Sequence, residues 1–426
     1  MGIKLTLLIV FFAVMVGVGL YSRKHTASVD GFVLGGRSVG PWLTAFAYGT
    51  SYFSAVVFVG YAGQFGWKYG IASTWIGIGN AVIGSLMAWV VLGRRTKVMT
   101  QHLGSKTMPD FFGERYGSKA LKIMASAIVF VFLVPYTASI YNGLSRLFEM
   151  AFHIPYAYCV AGMAVFTGIY VILGGYMATA INDFIQGIIM LLGIVAVIAA
   201  VLSGQGGFLE AIRKMAEIPS DLPVTMGQPG AFTSFFGPDP WNLLGVIILT
   251  SLGTWGLPQM IGKFYAIKDE KSINTGTVIS TLFACVVAGG SYFLGGFGRL
   301  FDSSEIYDET GSVVFDSIVP HMLSSLPDLL IGIVVVLVLS ASMSTLASLV
   351  LTSSSTLTLD FLKDNVMKNM SEKKQIRWVP TTSSTNTPPP QRAWRYSPRS
   401  STPTAGRPTS TARKPPVSGP TTCSAP

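Results

Sequence analysis

Charge is what this sequence has least of: Asp, Glu, Lys and Arg make up only 12% of its 426 residues, while half are hydrophobic. An average soluble domain carries about twice that charged fraction. With a mean hydropathy of +0.52, the chain belongs in a bilayer rather than in water. Cysteine is scarce as well. Cys159, Cys285 and Cys423 lie far apart and the four histidines show no ligand spacing, which excludes a disulfide framework and a zinc site. No nucleophile, base and oxyanion-donor set stands at usable spacing, so the chain is not expected to be an enzyme. Lys and Arg outnumber Asp and Glu by 30 to 20, but they form no basic stripe, and nucleic acid is not an expected partner.

What the sequence does have is almost uncharged apolar stretches, each long enough to cross a bilayer, which takes roughly 20 residues. They recur at residues 3–21, 42–65, 71–92, 123–144, 154–177, 184–202, 243–261, 275–297 and 329–359. The expectation is an all-α polytopic membrane protein of about nine transmembrane helices. The first stretch is read as a retained span and not a signal peptide, because "YSRKHTASVD" puts basic residues where a small-residue cleavage site belongs. With the N-terminus outside, the inner loops up to the ninth span hold thirteen Lys and Arg, among them Lys263, Lys268 and Lys271, against six on the outer side. That bias supports this orientation.

Composition changes abruptly after the last span. Residues 1–362 read as the transmembrane domain, 363–377 as a basic cytoplasmic segment, and 378–426 as a tail with 11 Pro and 18 Ser or Thr. Such a tail has almost nothing to bury. It is expected to be either a disordered cytoplasmic extension or the product of a reading frame shifted near "KKQIRW".

The chemistry concentrates in three places. "SASMSTLASLVLTSSSTLTL", Ser340 to Leu359, puts eleven hydroxyls into a stretch without a charge. In hydrocarbon, such hydroxyls bond back to a carbonyl one turn earlier, pack on a neighbouring helix, or face an ion or water path. Ser353 to Thr358 are explained by back-bonding and hydration near the inner surface. Ser344 and Thr345 are different: adjacent, deep in the span and one turn after the small Ala341, they offer the neutral oxygens a partly dehydrated Na+ requires. In the second span, "WLTAFAYGTSYFSAVVFVGYAG", Gly49 to Ser54 suggest either tight packing or a helix broken at mid-membrane, whose open ends bind ion and substrate. Finally, Asp183 begins the sixth span, where an acid serves the helix N-terminus, an ion path, or both.

These blocks resemble a known family. "GFVLGGRSVGPWLTAFAYGTSYFSA", "TMPDFFGERYG", "GGYMATAINDFIQGIIMLLG", "GLPQMIGKFYAIKDE" and "SASMSTLASLVLTSSS" are similar, in order, to successive blocks of the sodium:solute symporter family, over roughly residues 5–377. The resemblance implies an inverted-repeat bundle, its second repeat incomplete here, in which Na+ drives a small organic solute (an amino acid, carboxylate or similar) inward by alternating access across the plasma (inner) membrane. The alternative is a symporter-like solute-binding or sensory module that does not transport. For the sodium site it implies the carbonyls of Thr50, Phe53 and Ala341 with the hydroxyls of Ser344 and Thr345. For an ion path it implies Asp183 and Ser348, with Ala347 standing where a second ion site needs another hydroxyl. For the solute it implies Ser51, Tyr52, Ser54, Tyr136, Thr254, Trp255, Pro258 and Gln259. Val56, Thr250 and Thr254 replace aromatic residues of the sodium/proline symporters, which points away from proline itself.

Overall fold

The computed structural model describes residues 2–379 except 26, 153, 368, 369, 373, 376 and 377. The Pro-rich tail beyond Val379 lies outside the described residues. Helices account for nearly all regular structure, and the only β pairing among the described residues is two isolated bridges, Val39 with Ile267 and Tyr307 with Val313.

The helices that matter for function are α1 (Gly2–Ser22), α2 (Pro41–Tyr52), α3 (Ala62–Tyr69), α4 (Lys119–Phe152), α5 (Tyr156–Gly204), α6 (Pro240–Leu252), α7 (Pro258–Ala266), α8 (Glu270–Gly295) and α9 (Asp328–Ser355). Several starts are written locally. Pro opens α2, α6 and α7, where its missing N–H costs nothing. Asp269 caps α8 by accepting from the Ser272 amide.

By length and apolarity, six helices among the described residues can cross a membrane, or seven if the pair bent by 54° between Gly256 and Pro258 is one span. The difference from the nine expected apolar stretches comes from helical runs that continue through more than one of them. The run Val56–Leu103 has 48 residues, about 72 Å at 1.5 Å per residue, against a hydrocarbon core of about 30 Å. Gly70 interrupts it at φ 60°, ψ −142°. Gly175 interrupts α5 in the same way at φ 54°, ψ −145°, a conformation that a side chain does not tolerate. A Cβ there would also stand 2.7 Å from the Phe32 carbonyl.

The broken helix lies at the centre. α2 packs against α5, α8 and α9, and α9 also meets α1, α4 and α7. The break falls at Phe53 and Ser54, within the expected stretch from Gly49 to Ser54, while Gly49 itself lies inside α2 against the ring of Phe283. Phe53 leaves helical geometry at φ −102°, ψ 87°. Ser54 restarts the helix: its hydroxyl accepts from the Val56 amide at 3.3 Å and its carbonyl from Val57 and Phe58, a local capping pattern that competes with continuous helix.

Loops expected on the inner side meet one another. The Val39 amide donates to Ala266 and the Lys268 amide to Val39. Arg37 donates to the Ser105 carbonyl at 2.6 Å, and Lys106 pairs with Asp30 at 3.3 Å. The outer loops join separately, through Arg299 with Asp221 at 2.7 Å and Lys4 with Asp328 at 2.9 Å.

Candidate functional site

Of the hydroxyls on α9, several bond back along their own helix. Ser340, Ser342, Ser353 and Ser354 each donate to the carbonyl four residues earlier at 2.6–2.7 Å. Ser344 and Thr345 do something else as well. Both are fully buried and reach across to the broken helix, where the Thr50 carbonyl accepts from Ser344 at 3.2 Å and from Thr345 at 3.3 Å. They also donate to Ala341, at 3.2 and 3.0 Å. The last turn of a helix leaves carbonyls without intrahelical donors, and the break at Phe53 puts Thr50 in that turn.

Four uncharged oxygens therefore converge: two hydroxyls and two carbonyls. Oxygens at right angles around a cation at the 2.3–2.6 Å typical of Ca2+ stand roughly 3.3–3.7 Å apart, and Na+ is nearly the same size. The separations of 3.0–3.3 Å need little adjustment to admit it, with the hydroxyl hydrogens turned away. Phe53, the remaining expected ligand, lies at the break and lines a small cavity of about 10 Å3 with Ser54 and Ala341.

Asp183 is not at a helix start. It lies two turns beyond Gly175 inside α5, fully buried. Its Oδ2 is 3.5 Å from Lys263 Nζ, which also donates to Ser348 Oγ at 2.9 Å. Ser348 Oγ is in turn 2.9 Å from Ser51 Oγ on the broken helix. Lys263 had been counted among inner-loop charges, yet it sits within α7 with its side chain only 3% exposed.

A second correction concerns the inner end of α9. Ser355, Thr356 and Thr358 are buried, not hydrated at the membrane surface, and the hydroxyls of Ser355 and Thr356 have no hydrogen-bond partner among the described residues. Ser348, Thr352, Ser355 and Thr356 line a cavity of about 50 Å3 together with Lys263 and Gln259. Spacings of three and four put Ala341, Thr345, Ser348, Thr352 and Ser355 on one face of the helix. That face leads from the converging oxygens to Thr107, which donates to Asp360 at 2.6 Å at the inner end.

The expected solute residues divide into groups around the break. Ser51 adjoins the Lys263 cluster. The Tyr52 hydroxyl donates to the Thr250 carbonyl at 3.0 Å and the Trp255 indole to the Ile83 carbonyl at 3.0 Å, both across to a neighbouring element, while Thr254 bonds back locally to Ser251 at 2.9 Å. Tyr136, on α4, is half-buried against the hydrophobic core. Pro258 and Gln259 face the larger cavity, and both amide atoms of the buried Gln259 lack a partner among the described residues. The sequence missed Lys263, Ser355 and Thr356. The signal available for Lys263 was its position at the end of an apolar stretch and seven residues after Gly256.

Comparison with known proteins agrees with the fold. The family model described as the sodium:solute symporter family matches residues 32–383. The sodium/proline symporter 2 of Staphylococcus saprophyticus is 31% identical over 368 residues, covering 84% of this chain and 68% of that protein. The sodium/proline symporter of Staphylococcus aureus strain JH9 is 32% identical over 364 residues, covering 83% and 67%. The chain thus spans about two thirds of these relatives' length. The fold is also similar to the substrate-bound outward-open state of a Na+-coupled sialic acid symporter, with a TM-score of 0.74 at 14% identity, over 90% of this chain and 80% of that one.

Proposed function

Because the chain belongs to the sodium:solute symporter family, whose members couple solute movement to Na+, we propose that it imports a small amino acid or carboxylate by alternating access. The observation that carries this reading is the convergence of Thr50, Ala341, Ser344 and Thr345 between the broken helix and α9. An ion held there ties the two helices together, so its arrival and departure bias how they sit against each other.

The solute belongs at the break beside this site. The outer half-helix starts at Ser54, and its N-terminal end carries the positive pole of the helix dipole, which favours a carboxylate. Of the expected solute residues, Ser54 supplies a hydroxyl at the break itself and lines the small cavity there. The relatives are named for proline. In this chain, however, Thr250 engages Asn80 Oδ1 at 3.1 Å in place of offering an aromatic face, which favours a more polar solute. Those relatives are bacterial, which supports the plasma membrane as its location.

Energetics are adequate. For a solute of no net charge, such as a zwitterionic amino acid, one charge moving through about 100 mV supplies about 2.3 kcal/mol, and a tenfold Na+ gradient adds about 1.4 kcal/mol, together enough for accumulation of roughly 500-fold. Uptake of labelled amino and carboxylic acids into vesicles tests the reading. Accumulation against a gradient with Na+ supports it; saturable binding with no accumulation identifies a binding module instead.

A further inference from the structure

Lys263 puts an ammonium where the surroundings are suited to a free cation. Its Nζ contacts Ser348 Oγ at 2.9 Å and Asp183 Oδ2 at 3.5 Å, and Ser51 Oγ stands 2.9 Å beyond Ser348. The two charged side chains are 3% and 1% exposed. Asp183 Oδ1, buried and without a partner among the described residues, marks a carboxylate whose coordinating capacity is not exhausted. The cavity of about 50 Å3 beside Lys263 is lined by the unpartnered Gln259, Ser355 and Thr356, a polar route by which an ion reaches this point. Ser348 lies one turn from Ser344 and Thr345 on the same face of α9.

A buried carboxylate requires a positive partner, and this chain supplies one covalently. We propose that Lys263 is a tethered cation filling a second monovalent-cation site formed by Asp183, Ser348 and Ser51, so that the chain binds a single Na+. Removing the lysine charge opens that second site to Na+. This inference rests on the reading of Thr50, Ala341, Ser344 and Thr345 as the sodium site. Lys263 cannot leave, so it balances Asp183 throughout the cycle and adds no transported charge. Like-charge repulsion keeps a second mobile cation from settling beside it.

Equilibrium binding of radioactive Na+ to the purified full chain tests this. Wild type is expected to bind one Na+, Lys263→Arg one, and Lys263→Gln two, the additional ion being lost again in Lys263→Gln/Asp183→Asn. A single ion bound by well-folded Lys263→Gln overturns the tethered-cation assignment and leaves the sodium site standing, as does a count of two in wild type. No binding by wild type removes the sodium site itself, and this inference with it. If Lys263→Gln does not fold, Lys263→Met, which keeps the apolar stem, is read by the same counts.

Discussion

The hydroxyl of Thr345 donates to the carbonyl of Thr50 over 3.3 Å, although 295 residues separate them in sequence. Ser344 repeats the contact at 3.2 Å. The helix break leaves the Thr50 carbonyl without an intrahelical donor, and in the proposed sodium site this carbonyl and the two hydroxyls that reach it share a cation. Movement of either helix alters the cluster, so ion occupancy and helix arrangement are linked reciprocally.

Ser344→Ala and Thr345→Ala should each raise the Na+ concentration for half-maximal uptake by about tenfold or more, equivalent to about 1.4 kcal/mol. Ser342→Ala is the control. Its hydroxyl is equally buried but only bonds back to Val338 at 2.7 Å, an interaction of about 1 kcal/mol or less. Equal shifts at all three positions in Na+ titrations of uptake would reject the assignment.

Asp183→Asn should destabilise the protein by about 3–5 kcal/mol, because it strands the Lys263 ammonium in the interior. Lys263→Gln added to that variant should restore much of the loss, since the cost comes from one unpaired charge. Unfolding measured in detergent checks this. A double variant as unstable as the sum of the singles would show that the two groups do not interact.

Much of this was legible in sequence. Apolar stretches showed a membrane bundle, and the adjacent pair Ser344 and Thr345 stood apart from the other hydroxyls. Pairing with Thr50 required the family resemblance, because no local pattern links residues so distant. The stretch from Gly49 to Ser54 left tight packing and a break both open, and both occur: Gly49 admits the ring of Phe283, and the helix ends at Phe53. Lys263 was illegible. A charge at the end of an apolar stretch reads as a loop residue, and only Asp183, 80 positions away, makes its burial tolerable.

The inner end of the hydroxyl-lined face is closed by Thr107 and Asp360 at 2.6 Å, with Lys122 3.6 Å from Asp360 and 2.7 Å from Asp110. Asp360→Ala should loosen this closure. In a cysteine-free background, a cysteine placed at 355 should then react several-fold faster with a polar thiol reagent added from the inner side. An unchanged labelling rate would show that this cluster does not limit access to the cavity.

Whether Thr50, Ala341, Ser344 and Thr345 hold the coupling Na+ is tested without requiring transport by direct binding of radioactive Na+. Ser344→Ala/Thr345→Ala should lose saturable binding over the range in which wild type saturates. Ser340→Ala/Ser342→Ala, which removes two back-bonded hydroxyls from the same helix, should keep it. Full binding by a folded Ser344→Ala/Thr345→Ala protein would contradict the account.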